Sequence, residues 1–358
     1  MLAIFLTVFI DLLGFGILIP VFPLLISPGS PFRVTPEGWS FTQGLIMLGW
    51  LQAIFPFCIF IAAPILGQLS DRHGRKPVLA FSIFGTALGY ALFAIGISTA
   101  NIPLLFAARA LDGITGGNLA VAQAAIGDVS THENRAKNFG MLGAAFGLGF
   151  IIGPYLGGRL SSPDTSFYGL FHTPSWFGAT TPFWFATILA LANCASILTM
   201  FPETLKEKFH GGRIKISRAV SNVVGGFKSD RLRVVLMAGF LFSAGFTFFT
   251  TFFGVYLRNN FNFSSAKIGD YFAIVGMFIA VSQAVVVGRV AKKLADWKVL
   301  RFSMFGLGAM MLVYFVIPTS SSSYLYLVIP FFTLFNGLTM ANMSSLISRS
   351  AEMGQQGQ

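Results

Sequence analysis

Three charged residues lie inside long apolar runs of the sequence, where an ionised side chain is costly. Asp11 stands within the first run, and Arg109 and Asp112 stand three residues apart in the fourth. Residues at that spacing are neighbours on one helix face. Ionisable groups inside a membrane mark ion or proton pathways by default. Asp11 or Asp112 is therefore predicted to load and release a proton, with Arg109 beside Asp112; a permanent structural ion pair between Arg109 and Asp112 is the alternative.

The runs themselves predict an all-α membrane protein. Of the 358 residues, 54% are hydrophobic and only 10% are charged, whereas soluble domains carry about 25% charged residues. A run of about 20 apolar residues spans a bilayer as a helix. The sequence predicts ten such spans, at residues 2–26, 43–69, 77–98, 102–127, 137–160, 182–202, 233–257, 268–290, 299–318 and 323–346.

The net charge of +11 comes from Lys and Arg residues concentrated in alternate connections between the runs. The positive-inside rule places those connections, and both chain termini, in the cytoplasm. This distribution argues for a lipid bilayer as the partner of the cations and against nucleic acid. The four His and two Cys residues form no constellation with catalytic or metal-ligand spacing, so neither enzyme activity nor a metal or cofactor is expected.

A dense charged motif joins the second and third runs. It comprises Gly67, Asp71, Arg72, Gly74, Arg75 and Lys76. This motif resembles the signature loop of the major facilitator superfamily of transporters. The resemblance implies a gate in which Asp71 and Arg75 cluster with Asp128 at the cytoplasmic edge, with Arg135 nearby in sequence. A solvated loop whose charges only set topology is the alternative.

Glycines recur along the fifth run at four-residue spacing, which lets helices approach closely. The set is Gly149, Gly153, Pro154, Gly157 and Gly158. It resembles the motif of drug:proton antiporters, and further stretches near Arg109, Asp128 and Glu203 are similar to tetracycline-resistance-type antiporters. The resemblance implies that Arg109 serves proton coupling and that Asp11 faces a central cavity; for Asp11, an acid merely solvated near the cytoplasmic membrane surface is the alternative. Helix packing without exchange is the alternative for the glycines.

Internal similarity supports two halves. Leu79–Gly85 recurs as Leu300–Gly306, and the superfamily arrangement implies two pseudo-symmetric helical bundles. We expect a six-helix bundle at 1–202, a cytoplasmic interdomain linker at 203–232 and a C-terminal bundle at 233–358. The last has four helices, so ten of an expected twelve are present. A truncated chain is the favoured interpretation, and a genuine ten-helix protein is the alternative.

The substrate is less constrained by the sequence. Tetracycline carriers place an acid in the third helix where this chain has Gly89, which weighs against tetracycline itself. Candidate substrate contacts are Gln52, Asn118, Gln283, Phe249 and Asn336; for Phe249, lipid contact is the alternative.

These features together predict a monomeric, multi-pass secondary active transporter in the plasma membrane. It is expected to exchange protons for small amphipathic or hydrophobic compounds by alternating access. The alternatives are a facilitator or proton symporter of sugars or other metabolites on the same fold, and a non-transporting truncated relative.

Overall fold

A computed structural model describes residues 2–131, 133, 135–167, 171–205, 224–225, 227, 230–291, 295–319 and 321–350. The first part of the chain is helical apart from one short antiparallel strand pair, β1 and β2. Its elements are α1 (Leu2–Ile26), α2 (Phe41–His73), α3 (Arg75–Ser98), α4 (Ile102–Thr115), α5 (Asn118–Val129), α6 (Arg135–Leu160), β1 (Ser166–Phe167), β2 (Phe171–His172) and α7 (Thr181–Met200).

The regular elements described in the second part are all helices. Its elements are α8 (Asp230–Phe261), α9 (Ser265–Val281), a π-helix (Ser282–Val287), α10 (Gly288–Ala291), α11 (Asp296–Val316) and α12 (Ser323–Ser350). The all-α class predicted from the apolar runs is therefore confirmed. Local signals explain several helix starts. Ser40 and Gln43 form a capping box before α2, and the Asn101 side chain accepts the backbone N–H of Leu104 at 3.0 Å.

Two predicted spans differ in detail from the structure. The span expected at 102–127 is divided into α4 and α5 at Gly116 and Gly117, because adjacent glycines have little helix propensity. Nine of the described helices are consequently long and apolar enough to cross a membrane, one fewer than the ten expected spans. The eighth span continues from α9 into the π-helix, a local form of helix found often at functional sites.

The chain divides into two compact units. One contains Met1–Ile216 and Phe263–Asp270, and the other contains Ser217–Asn262 and Tyr271–Gln358. The expected domain boundaries stay a prediction, since residues 206–223 of the expected linker lie outside the described residues.

Within the first unit, α1 packs along α6, and α3 packs against both α4 and α7. Both α1 and α3 are mostly buried, and the side chains of Thr7 on α1 and of Ser82 and Thr86 on α3 lie in the interior of the unit.

Candidate functional site

The two charges of the fourth span meet inside the first unit. Arg109 Nη1 donates to Asp112 Oδ2 at 3.0 Å, and the residues are only 3% and 4% exposed. The guanidinium also lies over the Phe55 ring of α2, 4.1 Å from its centroid. A buried ion pair needs such close partners to offset the loss of hydration. The structure thus brings together the Arg109–Asp112 pair expected from the three-residue spacing.

Asp11 of α1 lies beside this pair without joining it. The Asp112 carboxylate repels its carboxyl group, and the Asn118 side chain at the start of α5 lies nearby without a hydrogen bond of ordinary geometry. Among the described residues Asp11 makes no ion pair, and part of its surface remains accessible. Asp11 and Asp112 are therefore two neighbouring acids in different electrostatic situations, of which only Asp112 has an ionic partner.

Several buried polar atoms on α2, α4 and α5 have no hydrogen-bond partner within the described part of the chain. They include Arg109 Nε and Nη2, both polar atoms of the Asn118 amide, and Gln52 Oε1, all on buried residues. Buried polar groups are almost always satisfied by protein, water or ligand. Gln52 precedes Phe55 by three residues and shares its helix face. These atoms offer three donors, on Arg109 and Asn118, and two acceptors, on Asn118 and Gln52, to water or a bound molecule.

Close backbone contacts hold the acids in place. A side chain at Gly89 would bring its Cβ within 3.0 Å of Asp112 Cβ, and one at Gly113 within 2.5 Å of the Phe55 carbonyl oxygen. These glycines let α3 and α2 approach α4, since a Cβ at either position would meet the neighbouring helix. The absence of an acid at position 89 thus coincides with direct packing against Asp112.

The glycines of α6 form the surface on which α1 rests. A Cβ at Gly149 would meet Leu12, one at Gly153 would meet Leu13 and Gly16, and one at Gly157 would meet Ile17, all within 3.0 Å. Their spacing follows the α1 backbone past Asp11, as small-residue interfaces in membranes do. The antiporter function of this motif stays a prediction; its packing positions the helix that carries Asp11.

The remaining substrate candidates lie in the second unit. Phe249 belongs to an aromatic stack with Phe253, Tyr314 and Phe332, with ring centroids 4.7–5.7 Å away. Asn336 is buried with Oδ1 unpaired among the described residues, and Gln283 is exposed within the π-helix. Phe249 is committed to packing, whereas Asn336 retains an open acceptor.

A second charged cluster lies at the charged motif between α2 and α3. Arg75 is buried; its Nη1 lies 2.7 Å from Asp71 and its Nε 3.0 Å from Asp128. Nη1 also donates to Ser70 Oγ at 2.6 Å. The structure therefore brings together Asp71, Arg75 and Asp128, and whether the cluster acts as a gate stays a prediction.

The other motif residues have varied positions. Arg72 lies in the last turn of α2, and Gly74 directly follows this helix at φ +110°, a conformation favoured by glycine. A Cβ at Gly67 would meet no described atom within 4 Å, so close approach does not explain that glycine. Arg135 begins α6, and its side chain lies outside the described residues.

Glu203 binds the backbone of the charged motif, an interaction that was not predicted from the sequence. Its carboxylate accepts the backbone N–H groups of Arg75 at 2.8 Å and Lys76 at 3.2 Å, and also those of Thr204 and Leu205. Partial burial raises the pKa of Glu203, but these four donors outweigh it and leave the pKa below its usual value. Glu203 thus caps the N-terminus of α3 from a position 128 residues away.

The substitution Glu203→Gln should lower the stability of the protein by about 1 kcal/mol, because the cap loses its charge. The pKa is lowered in the folded state, so the contribution is complete above the unfolded value of about 4.3 and is lost as the pH falls through the folded value. Thermal unfolding in detergent should show the largest difference at neutral pH. The exposed Glu37→Gln variant is the control, and an equal shift in both would contradict the cap.

At the opposite end of α6, Arg159 forms an ion pair that sequence reasoning also missed. Its Nη2 contacts both carboxylate oxygens of Asp270 in α9, at 2.8 and 2.7 Å, and Nη1 donates to the Ser166 carbonyl at 2.5 Å. Beside the pair, a Cβ at Gly158 would come within 2.4 Å of the Ser265 carbonyl, and Pro154 contacts Gly269. The last part of the antiporter motif therefore packs on α9.

Removal of this pair by Asp270→Asn should cost about 2 kcal/mol, a typical value for hydrogen bonds to a charged group. The half-buried Arg159 would keep its charge but lose its carboxylate partner. The charge reversal Arg159→Asp with Asp270→Arg should recover part of the loss in thermal stability. Identical melting temperatures for the wild type and Asp270→Asn would show that the pair contributes nothing.

The family model described as Major Facilitator Superfamily matches residues 4–358. The chain is 32% identical over 296 residues to the class H tetracycline resistance protein of Pasteurella multocida, covering 82% of this chain and 68% of that protein. It is 28% identical over 356 residues to the class C tetracycline resistance protein of Escherichia coli, covering 98% and 82%.

A solved structure agrees at the level of the fold. The human organic anion transporter MFSD10 (TETRAN) matches with a TM-score of 0.63 and 21% identity, covering 99% of this chain and 86% of that chain. At this identity the likeness concerns the arrangement of helices alone.

Proposed function

Because this chain belongs to the major facilitator superfamily of multi-pass membrane transporters, we propose that it exports small amphipathic or hydrophobic compounds in exchange for protons. The observation that carries the proposal is the pair of neighbouring acids in the membrane interior, of which Asp11 has no ionic partner among the described residues. Such a group is costly unless it serves a function. The names of the tetracycline resistance relatives support drug efflux.

The two acids have different proposed roles in proton coupling. A proton on Asp112 would leave Arg109 as an uncompensated buried cation, which is costly. A proton on Asp11 leaves no partner behind and removes the repulsion between the acids. Asp11 is therefore the proposed proton carrier. Arg109 and Asp112 form the fixed ion pair whose nearby charges make the protein respond to the charge state of Asp11. Ionised Asp11 favours a cationic or polar group nearby, so proton and substrate compete, and each state of the alternating-access cycle carries one of them.

The substrate is proposed to contact the open polar atoms around the acids. Gln52, Asn118 and Arg109 present unpaired donors and acceptors in a buried setting, and a few placed polar groups among apolar surfaces are typical of small-molecule sites. A Cβ at Gly89 would already lie 3.0 Å from Asp112 Cβ, so an acid at position 89 of α3 would crowd Asp112. This local difference from the expected pattern supports amphipathic compounds other than tetracycline.

The Arg75 cluster is proposed to control the cytoplasmic side. Its ion pairs tie α2, α3 and α5 together in the first unit. Interactions of this size bias a two-state equilibrium without locking it. We also propose the plasma membrane as the location, with both chain ends in the cytoplasm, in agreement with the distribution of Lys and Arg residues.

Transport by the purified protein in lipid vesicles tests the proposal. With the dye ethidium as the probe and tetracycline as the comparison compound, ethidium should move against its gradient when protons flow the other way, an uncoupler should stop it, and tetracycline should move little. Movement of probe and protons in the same direction would establish a symporter. Flux unaffected by the uncoupler would establish a facilitator, and an absence of flux of these and of sugars would favour a non-transporting relative. Each of the last three outcomes contradicts proton antiport.

A further inference from the structure

Tyr90 of α3 reaches across to α1 and stands next to Asp11. The residue is buried, and its hydroxyl lies directly on Gly14, where a Cβ would come within 1.6 Å of the oxygen. The hydroxyl donates to the carbonyl oxygen of Ile10, the residue before Asp11, at 3.4 Å. This distance is beyond the usual range for an O–H donor, so the hydrogen bond is weak and the donor is readily redirected.

The charged groups that face Tyr90 are those of the central site. Its hydroxyl interacts electrostatically with Asp112 and Arg109 of α4 and with Asp11 of α1. The preceding residue, Gly89, packs on Asp112, which fixes the tyrosine beside both acids.

The other helices that pack around α3 place no charged side chain near the Tyr90 hydroxyl. Helix α7 has no charged residue, and the thiol of its Cys194 donates to the Ala80 carbonyl. Helices α2 and α5 carry their charges at their cytoplasmic ends, at Asp71, Arg72, His73 and Asp128.

We propose that Tyr90 is a positioning residue whose hydroxyl switches between the Ile10 carbonyl and the Asp11 carboxylate as Asp11 loses its proton. A phenol has one O–H donor and can serve one acceptor at a time. A carboxylate is the stronger acceptor, whereas a protonated Asp11 returns the donor to Ile10. Tyr90 thereby sets the pH at which Asp11 takes up its proton. This inference rests on the proposed role of Asp11 as proton carrier.

An infrared titration of the purified protein in lipid tests this role without any transported compound, because the proton is the probe. The carboxylic C=O band that disappears in Asp11→Asn reports protonated Asp11. In Tyr90→Phe the ionised carboxylate loses a donor, and the midpoint of that band should move to higher pH by about one unit. Tyr271→Phe is the control, since Tyr271 is an equally buried tyrosine that donates to Tyr314 at 2.9 Å in the second unit.

Gly14→Ala is a second variant that retains the hydroxyl but forces it away from its place. It should shift the midpoint in the same direction as Tyr90→Phe. An unchanged midpoint in Tyr90→Phe, or an equal shift in Tyr271→Phe, would overturn the role of Tyr90, even while Asp11→Asn abolishes coupled transport. The absence of any titrating Asp11 band would overturn this inference and the proposed function together.

Discussion

The substitution Asp11→Asn is expected to reduce transport driven by a proton gradient to the level of protein-free vesicles, while the protein still folds and inserts. Asparagine has nearly the same shape but cannot exchange a proton, and Asp11 has no ion pair to lose among the described residues. The rate of gradient-driven ethidium movement into or out of vesicles measures the effect. Melting temperature in detergent should change little, because no buried cation is left unpaired.

The control for this prediction is Asp164→Asn, at an exposed position where φ is +49°, a conformation that asparagine tolerates. It should transport as the wild type does. If Asp11→Asn retains the pH dependence of the wild type, Asp11 is not the proton carrier. A merely solvated acid near the membrane surface would then be the correct interpretation.

The second large effect concerns the buried ion pair. Asp112→Leu should destabilise the protein by about 3–5 kcal/mol, because Arg109 would remain as an uncompensated charge in the interior. The double variant Arg109→Met with Asp112→Leu should recover most of that stability, since an apolar pair of similar volume replaces a buried ion pair at little cost. Thermal unfolding of the two variants in detergent measures the difference.

Transport by the stable double variant separates the two interpretations of this pair. Under proton coupling, it should be folded but should no longer respond to a proton gradient, because the charges that make Asp11 sensitive to protonation are gone. Full proton-driven transport by the double variant would show that Arg109 and Asp112 are structural only. This experiment avoids confusing loss of fold with loss of function.

The sequence was sufficient to predict most of the helices. It also predicted contacts within one helix and contacts between motif residues. Apolar length identifies the spans, and the three-residue spacing of Arg109 and Asp112 predicts their contact, which the structure shows at 3.0 Å. The break between α4 and α5 was missed although Gly116 and Gly117 mark it. Adjacent glycines within an apolar run could have indicated the interruption.

Contacts between distant segments could not be predicted from the pattern of apolar residues along the sequence. Arg159 and Asp270 are 111 residues apart, and Glu203 caps a helix that begins at Arg75. Each of these charges looks like an ordinary residue near a span end until the helices are packed together. Tyr90 was missed for a related reason: a tyrosine in an apolar helix normally signals packing, and its position beside Asp11 depends on how α1 and α3 meet.

Proton movement itself gives the most direct test of the central claim that Asp11 carries the proton exchanged for substrate. A pH-sensitive dye inside vesicles records the response when ethidium is added outside with no initial pH gradient. We predict that the wild type moves protons against the direction of ethidium and that Asp11→Asn moves none. Equal proton movement by both proteins would contradict the account.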